Sequence, residues 1–230
     1  MEGSLLKTSI STDAATLLPA EPTLDDAGSQ EALDLMLKAR EKFAEGIALL
    51  NEEDWISNKD EEKAKFWVRK PDEDGFGSIR REAIFNKSAA DVDEWFSKQA
   101  NLVDSSDILE SSEIISELNS DSLLVRRQMK GNDTYEPRDL AVFCNRIALT
   151  DGSIGHVIFS VTHDSIPETD CVRAETKVHL GILQPISDTS CVLVSAAKID
   201  PKATIPPEVG LKMLDKQYED FVKMMAAVEA

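Results

Sequence analysis

Apolar residues recur at helical spacing near both ends of the chain. Between Ser29 and Leu50 they follow steps of three and four, which predicts an amphipathic helix with Ser29 as its N-cap. A second stripe with the same spacing runs from Leu211 to Val228 and predicts a long C-terminal helix with one apolar face. Each helix therefore has one face to bury against another layer of the protein.

The chain between these helices has a different period. Its apolar runs are short and many of them alternate with polar residues, which predicts strands. The runs cover residues 65–71, 78–86, 113–118, 123–130, 140–149, 154–162, 172–182 and 191–199. A short helix is predicted over 88–100, where Ser88 can act as a cap and acidic residues fill the first turn. This order predicts an α+β fold, an antiparallel sheet packed against helices.

Residues 1–28 lack a sustained apolar period and are rich in Ser, Thr, Ala and Asp. They are predicted to form a flexible leader. The folded domain is then expected to cover residues 29–230, which is enough chain for one substantial core.

Composition narrows the possible partners. The chain has 43 acidic and 25 basic residues among 230, a net charge of −18. This field repels nucleic acid phosphates, so no nucleic acid partner is predicted. No apolar run is long enough to span a bilayer, and the start of the chain lacks a signal-peptide core. The three widely spaced cysteines fit reduced residues in a cytoplasmic protein.

Catalytic and metal-binding patterns are absent from the sequence. His156, His163 and His179 lack the spacing of a metal site, and we interpret them as surface or core residues. No cysteine or serine stands in a recognisable nucleophile motif. The sequence therefore predicts no metal, no cofactor and no enzymatic activity.

Six segments, in order, resemble one family. They are "FWVRKP" with "SIRREAIF", "EPRDLAVF" (136–143), "FSVTHDSIPETDCVRAE" (159–175), "IDPKATIPP" (199–207) and "QYEDFVKMM" (217–225). They resemble the START domains, the lipid transfer modules related to the steroidogenic acute regulatory protein. Within that family they are most similar to the ceramide transfer protein. The resemblance covers the chain from about residue 30 to its end.

Membership would imply a helix-grip fold, in which the C-terminal helix closes a curved antiparallel sheet around a lipid tunnel. Such a protein binds and transfers one lipid and makes transient membrane contact, without catalysis. An acyl chain of about fifteen methylenes costs roughly 12 kcal/mol to expose to water, so a carrier must enclose it. The sequence does not identify a protein partner.

The positions that would hold a ceramide head differ in this chain. Where ceramide-binding members have "RNDWE", this chain reads "LVDSS" at 102–106. Their cavity glutamine, asparagine and tyrosine correspond to Arg127, Ile158 and Ser195. These differences argue against ceramide.

The positions that would hold a sterol differ as well. The acid–arginine pair of sterol-binding members corresponds to Val125 and Cys144, which cannot form an ion pair. The aromatic residue that other members insert into the bilayer corresponds to Thr204. A sterol held through that pair is therefore not expected.

The resemblance implies a set of tunnel-lining residues. They are Val125, Arg127, Val142, Cys144, Arg146, Ile158, Val178, Ser195 and Phe221. On strand 172–182 the lining face would be that of Val178, with His179 on the polar face and Arg173 as a scaffold residue. Two arginines on an apolar lining favour a phospholipid or another lipid with an anionic head.

Four alternatives stay open at this point. Each arginine could pair with an acidic residue at the rim of the sheet, which would remove the reason for an anionic head. The ligand could still be ceramide or a sterol. The fold could also carry an enzyme of the cyclase or hydratase type, or a ligand sensor that recruits a protein.

Overall fold

The computed structural model describes residues 13–69, 77–131, 136–203 and 207–230. The helices are α1 (Ala14–Leu17), α2 (Leu24–Ala27), α3 (Gln30–Leu50), α4 (Ala89–Ser97), α5 (Gln99–Asp104) and α6 (Pro207–Glu229). The first strands are β1 (Ile56–Asp60), β2 (Ala64–Arg69), β3 (Ser78–Phe85), β4 (Leu109–Asn119) and β5 (Ser122–Met129). The others are β6 (Arg138–Ala148), β7 (Ile154–Ser160), β8 (Val172–Arg173), β9 (Glu175–Ser187) and β10 (Ser190–Asp200).

The strands form one sheet in the order β1-β2-β3-β10-β9-β7-β6-β5-β4. Neighbours in this path are antiparallel, and the short strand β8 runs parallel to β6. The sheet is not closed into a barrel within the described residues. Strand β3 pairs with β10, from Phe85 opposite Cys191 to Ser78 opposite Lys198. The predicted α+β, helix-grip fold is confirmed.

Helices cover both faces of the sheet. On one side, which we call the α3 face, residues such as Phe143, Phe159 and Leu180 form a core with Phe43 and Ile47 of α3. On the other side, the α6 face, strand residues join α4 and α6 in a second core. Its members include Phe66, Phe85, Leu193, Val92, Tyr218 and Phe221. Alternation along each strand thus gives two buried sets of side chains.

Helix α3 begins at the predicted cap and approaches the sheet closely. The Ser29 hydroxyl accepts a hydrogen bond of 3.1 Å from the backbone N–H of Ala32. Gly46 of α3 lies so close to Leu180 of β9 that a Cβ added to this glycine would be 2.5 Å from the leucine Cβ. Glycine is therefore needed at this contact between helix and sheet.

The prediction of a flexible leader is corrected for residues 13–28, and residues 1–12 lie outside the described part of the chain. Helix α1 packs Leu17 into the core of the α3 face. The backbone N–H of Thr150 donates to the carbonyl of Leu17 at 2.9 Å, and α2 is capped by Thr23 and Asp26. Leu17, with Ala14 and Leu18 packed against the same core, and the local caps hold this segment in place although it has no helical period.

A buried leucine in α1 should contribute to stability. Leu17 is 4% exposed and Leu24 of α2 is 50% exposed. We expect Leu17→Ala to lower the free energy of unfolding by about 2–3 kcal/mol, since a buried methyl-bearing side chain is lost. Leu24→Ala is the matched control and should change it by less than about 0.5 kcal/mol. Equal urea midpoints for both variants would mean that α1 does not add to the stability of the domain.

Three of the segments that carry the family resemblance meet at the start of β6. Asp139 accepts two hydrogen bonds of 2.8 Å from the Arg173 guanidinium and one of 3.1 Å from Thr169. The neighbouring Arg138 donates from Nε to the carbonyl of Pro201 at 2.9 Å. These contacts fix the segment before β9 and the end of β10 against β6. Arg173 is a scaffold residue, as predicted.

Candidate functional site

The α6 face carries two apolar clusters with polar side chains between them. One cluster lies under α6 on β2, β3 and β10. The other lies across the sheet on β5 and β6 and contains Val125, Leu140 and Val142, with Cys144 and Ile158 packed against it. The polar residues on the same face are Arg81, Ser195, His179 and Arg127, as the strand register shows.

Helix α6 is attached on both sides of this face. On one side Asp215 lies 3.3 Å from Lys59 of β1. On the other, Asp220 accepts hydrogen bonds from the Ser106 hydroxyl, at 2.8 Å, and from the backbone N–H of Asp107. Lys223 adds an ion pair of 2.6 Å with Asp107. Helix α6 therefore crosses this face. Ser106, the last residue of the "LVDSS" segment, and Asp107 hold it in place through Asp220.

Two arginines on the α6 face, Arg127 and Arg81, form no ion pair with a carboxylate in the part of the chain that the structure describes. The register places Arg127 opposite Leu140, on the same side of β5 as Val125. Its Nε atom is buried and has no hydrogen-bond partner in the described structure. Arg81, opposite Ser195, stacks its guanidinium 5.4 Å from the ring centre of Phe221. A buried guanidinium that lacks an anion is costly, so both side chains have unused binding capacity.

The pKa values of three groups on this face are shifted toward their neutral forms, because burial disfavours charge there. Burial, together with the positive fields of Arg81, Arg127 and His156, lowers the pKa of His179 to about 3. Burial also lowers the pKa of Arg81 to about 10, although Asp220 opposes the shift. The Cys144 thiol has its pKa raised by burial, against the pull of Arg127. His179 is therefore neutral near pH 7.

These deep side chains nevertheless keep accessible surface. Arg81, Arg127, His179 and Cys144 are all only half-buried by exposure, although burial dominates the pKa shifts of Arg81, His179 and Cys144. Partial exposure together with strong desolvation is the pattern expected of groups that border an internal space. On the α6 face such a space would be lined by apolar side chains and a few polar ones.

Most of the predicted lining residues come together on this face. They are Val125, Arg127, Val142, Cys144, Ile158 and Ser195 on the sheet and Phe221 on α6. Thr204 lies outside the described residues. Contact of these side chains with a lipid stays a prediction.

Arg146 lies on the α6 side of β6, but acidic residues of the protein already pair with it. Its guanidinium lies 2.8 Å from Asp93 of α4 and 3.2 Å from Asp121 in the β4–β5 turn. Asp93 also lies 2.7 Å from His156 Nε2. Burial would raise the pKa of Asp93, but the contacts with His156 and Arg146 outweigh it and lower the pKa. Of the two interpretations of Arg146 that the sequence left open, the structure shows the ion-paired one, because acids from other elements reach it.

Val178, predicted to line the tunnel, lies on the α3 face instead. It belongs to the core under α3 with Leu180 and Ile182, and the register places His179 opposite Ile158 and Ala197. The predicted faces of β9 are therefore reversed. The apolar side of this strand packs under a helix, while the more polar side faces the internal space.

Sequence reasoning missed Arg81 and His179. The alternation in β3 could have revealed Arg81, because this residue lies on the same side of the strand as the apolar residues Ile79, Ala83 and Phe85. His179 shares its face with Gly181 and Leu183, but the charged residues before it in the strand concealed that pattern.

A family model describing the START domain matches residues 35–229. The chain belongs to the START domain family. Its fold is that of lipid-binding and lipid-transfer domains, with the C-terminal helix over the sheet. No curated protein sequence matched the chain.

Solved START structures share the fold at low sequence identity. Human StAR-related lipid transfer protein 5 is 17% identical with a TM-score of 0.73, and the match covers 90% of this chain and 98% of that one. Human STARD10 is 16% identical with a TM-score of 0.69, covering 90% and 80%. A Xanthomonas axonopodis STAR-related lipid transfer protein fragment is 15% identical with a TM-score of 0.64, covering 77% and 100%.

These findings establish the family and do not single out the ceramide transfer protein, so that closer likeness stays a prediction. Among the helices that the structure describes, none is both long and apolar enough to cross a membrane.

Proposed function

We propose that this START domain binds one lipid with an anionic head in the space under α6 and transfers it between membranes. It does so as a cytoplasmic carrier with transient membrane contact and without catalysis. The observation that carries the proposal is Arg127, a guanidinium among apolar side chains whose buried Nε has no hydrogen-bond partner in the described structure.

The two parts of such a ligand match the two kinds of surface. Acyl chains would be shielded by the apolar clusters that include Val125, Val142 and Phe221, at roughly 0.8 kcal/mol per buried methylene. The head would accept hydrogen bonds from Arg127. A phosphate or carboxylate suits a guanidinium because its oxygens can accept two parallel N–H donors.

The test is the loss of head preference in Arg127→Leu. We expect binding of fluorescent phosphatidylglycerol or fatty acid to weaken about ten- to a hundred-fold, since a charge-assisted hydrogen bond contributes about 1.5–3 kcal/mol. Binding of fluorescent diacylglycerol, whose head is neutral, should change little. Competition between these lipids on delipidated protein measures both effects.

Arg126→Leu is the matched control. Arg126 directly precedes Arg127 in β5. It lies on the α3 face, opposite Ala141, so its loss should leave the preference between charged and neutral heads unchanged. If Arg127→Leu also leaves that preference unchanged, the anionic-lipid proposal fails. Ceramide or sterol would then be the ligand to examine.

A further inference from the structure

We propose that an ion-paired cluster closes one end of the lipid space and so sets the length of the acyl chain that this domain carries. The cluster consists of Asp93, Arg146 and His156, and we call it the end clasp. The inference rests on the proposed function and adds a chain length to it. With the head at Arg127, the end clasp limits the chain to about sixteen carbons.

The apolar lining of two neighbouring strands stops at the end clasp. The residues of β6 on the α6 face are, in order, Leu140, Val142, Cys144 and Arg146. On β7, Ile158 lies opposite Cys144, and His156 lies opposite Arg146. Both strands therefore change from apolar to ionisable side chains in the same cross-strand row.

The end clasp joins helix α4 to the sheet. Asp93 of α4 lies 2.8 Å from Arg146 Nε and 2.7 Å from His156 Nε2. Asp93 is 9% exposed, and neither its Oδ1 nor His156 Nε2 has a hydrogen-bond partner elsewhere in the described residues. Asp121 lies 3.2 Å from Arg146 Nη1. Two carboxylates thus hold Arg146 between a helix and a turn, so it is not free to move aside for a ligand.

Beyond the end clasp, α4 itself covers the sheet. Ile154 of β7 lies opposite Leu183 of β9, and both pack in the core that contains Val92 of α4. An acyl chain that passed the end clasp would have to lift this helix from the sheet. The end clasp therefore marks the place where the lipid space ends.

The length of β6 between the head and the end clasp gives the length of the chain. Leu140, which lies opposite Arg127, is six residues from Arg146, and β6 pairs without a register shift over this stretch. At ~3.4 Å per residue the stretch spans about 20 Å, and an extended chain with C–C bonds of ~1.5 Å advances ~1.25 Å per methylene. About sixteen carbons therefore fill it.

A longer chain gains nothing that offsets the loss of the end clasp. Its methylenes come from the interior of a membrane, so moving them into the protein removes no further apolar surface from water. Separating the buried Asp93 from its partners is strongly unfavourable, because an unpaired charge is left behind. We therefore expect chains that are too long to bind at least about tenfold more weakly.

The test loads the delipidated full chain from phosphatidylcholine vesicles that contain an equimolar series of saturated fatty acids, from 14 to 22 carbons. Native mass spectrometry identifies the bound acid by its mass. We expect the 14- and 16-carbon acids to load well, and acids of 20 or more carbons to load at least about tenfold less. Equal loading of the 16- and 22-carbon acids would overturn the inference.

Two variants should move this limit in opposite directions. Asp93→Ala combined with Arg146→Ala removes both charges together, so neither is left unpaired, and should raise loading of the 20-carbon acid at least about tenfold relative to the 16-carbon acid. Cys144→Phe places a ring about 7 Å before the end clasp along β6 and should shorten the limit by about five carbons. If the double variant does not fold, the wild-type series and Cys144→Phe still decide the question.

A matched control removes an ion pair from the other face of the sheet. Arg80 and Glu82 pair with each other on β3, opposite residues of the core under α3. Arg80→Ala combined with Glu82→Ala should leave the relative loading of the acids unchanged. A shift as large as that of the Asp93 and Arg146 double variant would mean that the limit follows overall stability and not the end clasp.

Failure of this inference differs from failure of the proposed function. If Arg127→Leu loses the preference for charged heads while the Asp93 and Arg146 double variant loads the same acids as wild type, the end clasp does not set the chain length. If Cys144→Phe leaves the limit unchanged, the chain does not run along β6, which also refutes the inference. If wild-type protein takes up phosphatidylcholine in place of the fatty acids, the anionic-lipid proposal itself falls.

Discussion

Asp139→Ala is expected to lower the free energy of unfolding by about 3–5 kcal/mol, because it leaves a partly buried guanidinium without its carboxylate. Asp139 is 0% exposed and accepts two hydrogen bonds from Arg173 and one from Thr169. Its loss should also release the segment before β9 from β6. Urea unfolding followed by tryptophan fluorescence measures the change.

Asp188→Ala is the control, since Asp188 is an exposed aspartate in the β9–β10 turn and its loss should cost less than about 0.5 kcal/mol. Combining Asp139→Leu with Arg173→Met removes both charges at once and should recover part of the stability, because no unpaired charge then remains. If Asp139→Ala matched Asp188→Ala in urea, the buried ion pair would not anchor this part of the sheet.

Phe221→Ala is expected to lower the free energy of unfolding by about 3–5 kcal/mol and to weaken lipid retention as well. Phe221 is 2% exposed and belongs to the core between α6 and the sheet. The alanine would leave a cavity there and remove the ring over which Arg81 lies. Thermal unfolding and native mass spectrometry of the loaded protein measure the two effects.

The neighbouring Val222 provides the control, because it is 38% exposed on α6. Val222→Ala should change neither the melting temperature nor the amount of bound lipid appreciably. A Phe221→Asp variant should destabilise the protein too, and its carboxylate would add a negative charge beside Arg81, which should reduce binding of anionic heads further than the alanine does. Unchanged stability and retention in both Phe221 variants would mean that α6 is not the lid of the lipid space.

Local and repeated signals in the sequence were sufficient for the α+β fold class, and the family resemblance added the helix-grip arrangement. Helical stripes located α3 and α6, and alternation located most of the strands. The motifs that carry the family resemblance also have a physical explanation: Arg138, Asp139 and Arg173 join three segments that are distant in the chain. These contacts are internal to the fold and do not depend on which ligand is bound.

The site was less predictable because the partners of a charged residue depend on tertiary structure. Arg127 and Arg146 have similar surroundings in sequence, each in an apolar strand. Only the packing of α4 brings Asp93 to Arg146. In the same way, the face of Val178 could not be chosen from polarity, since helices cover both sides of the sheet.

The pairing of β3 with β10 has a consequence for synthesis of the protein on the ribosome. The two strands are separated by more than one hundred residues, so the hairpin of β2 and β3 emerges long before its neighbour in the sheet. Until β10 and then α6 follow, the apolar side chains around Phe66 and Phe85 have only the short helix α4 to pack against. Long-range pairing of this kind slows folding and leaves nascent chains open to aggregation. The forty residues from 190 to 229 contain β10 and α6 and thus complete both the sheet and its cover, so the domain can finish folding only after they have emerged.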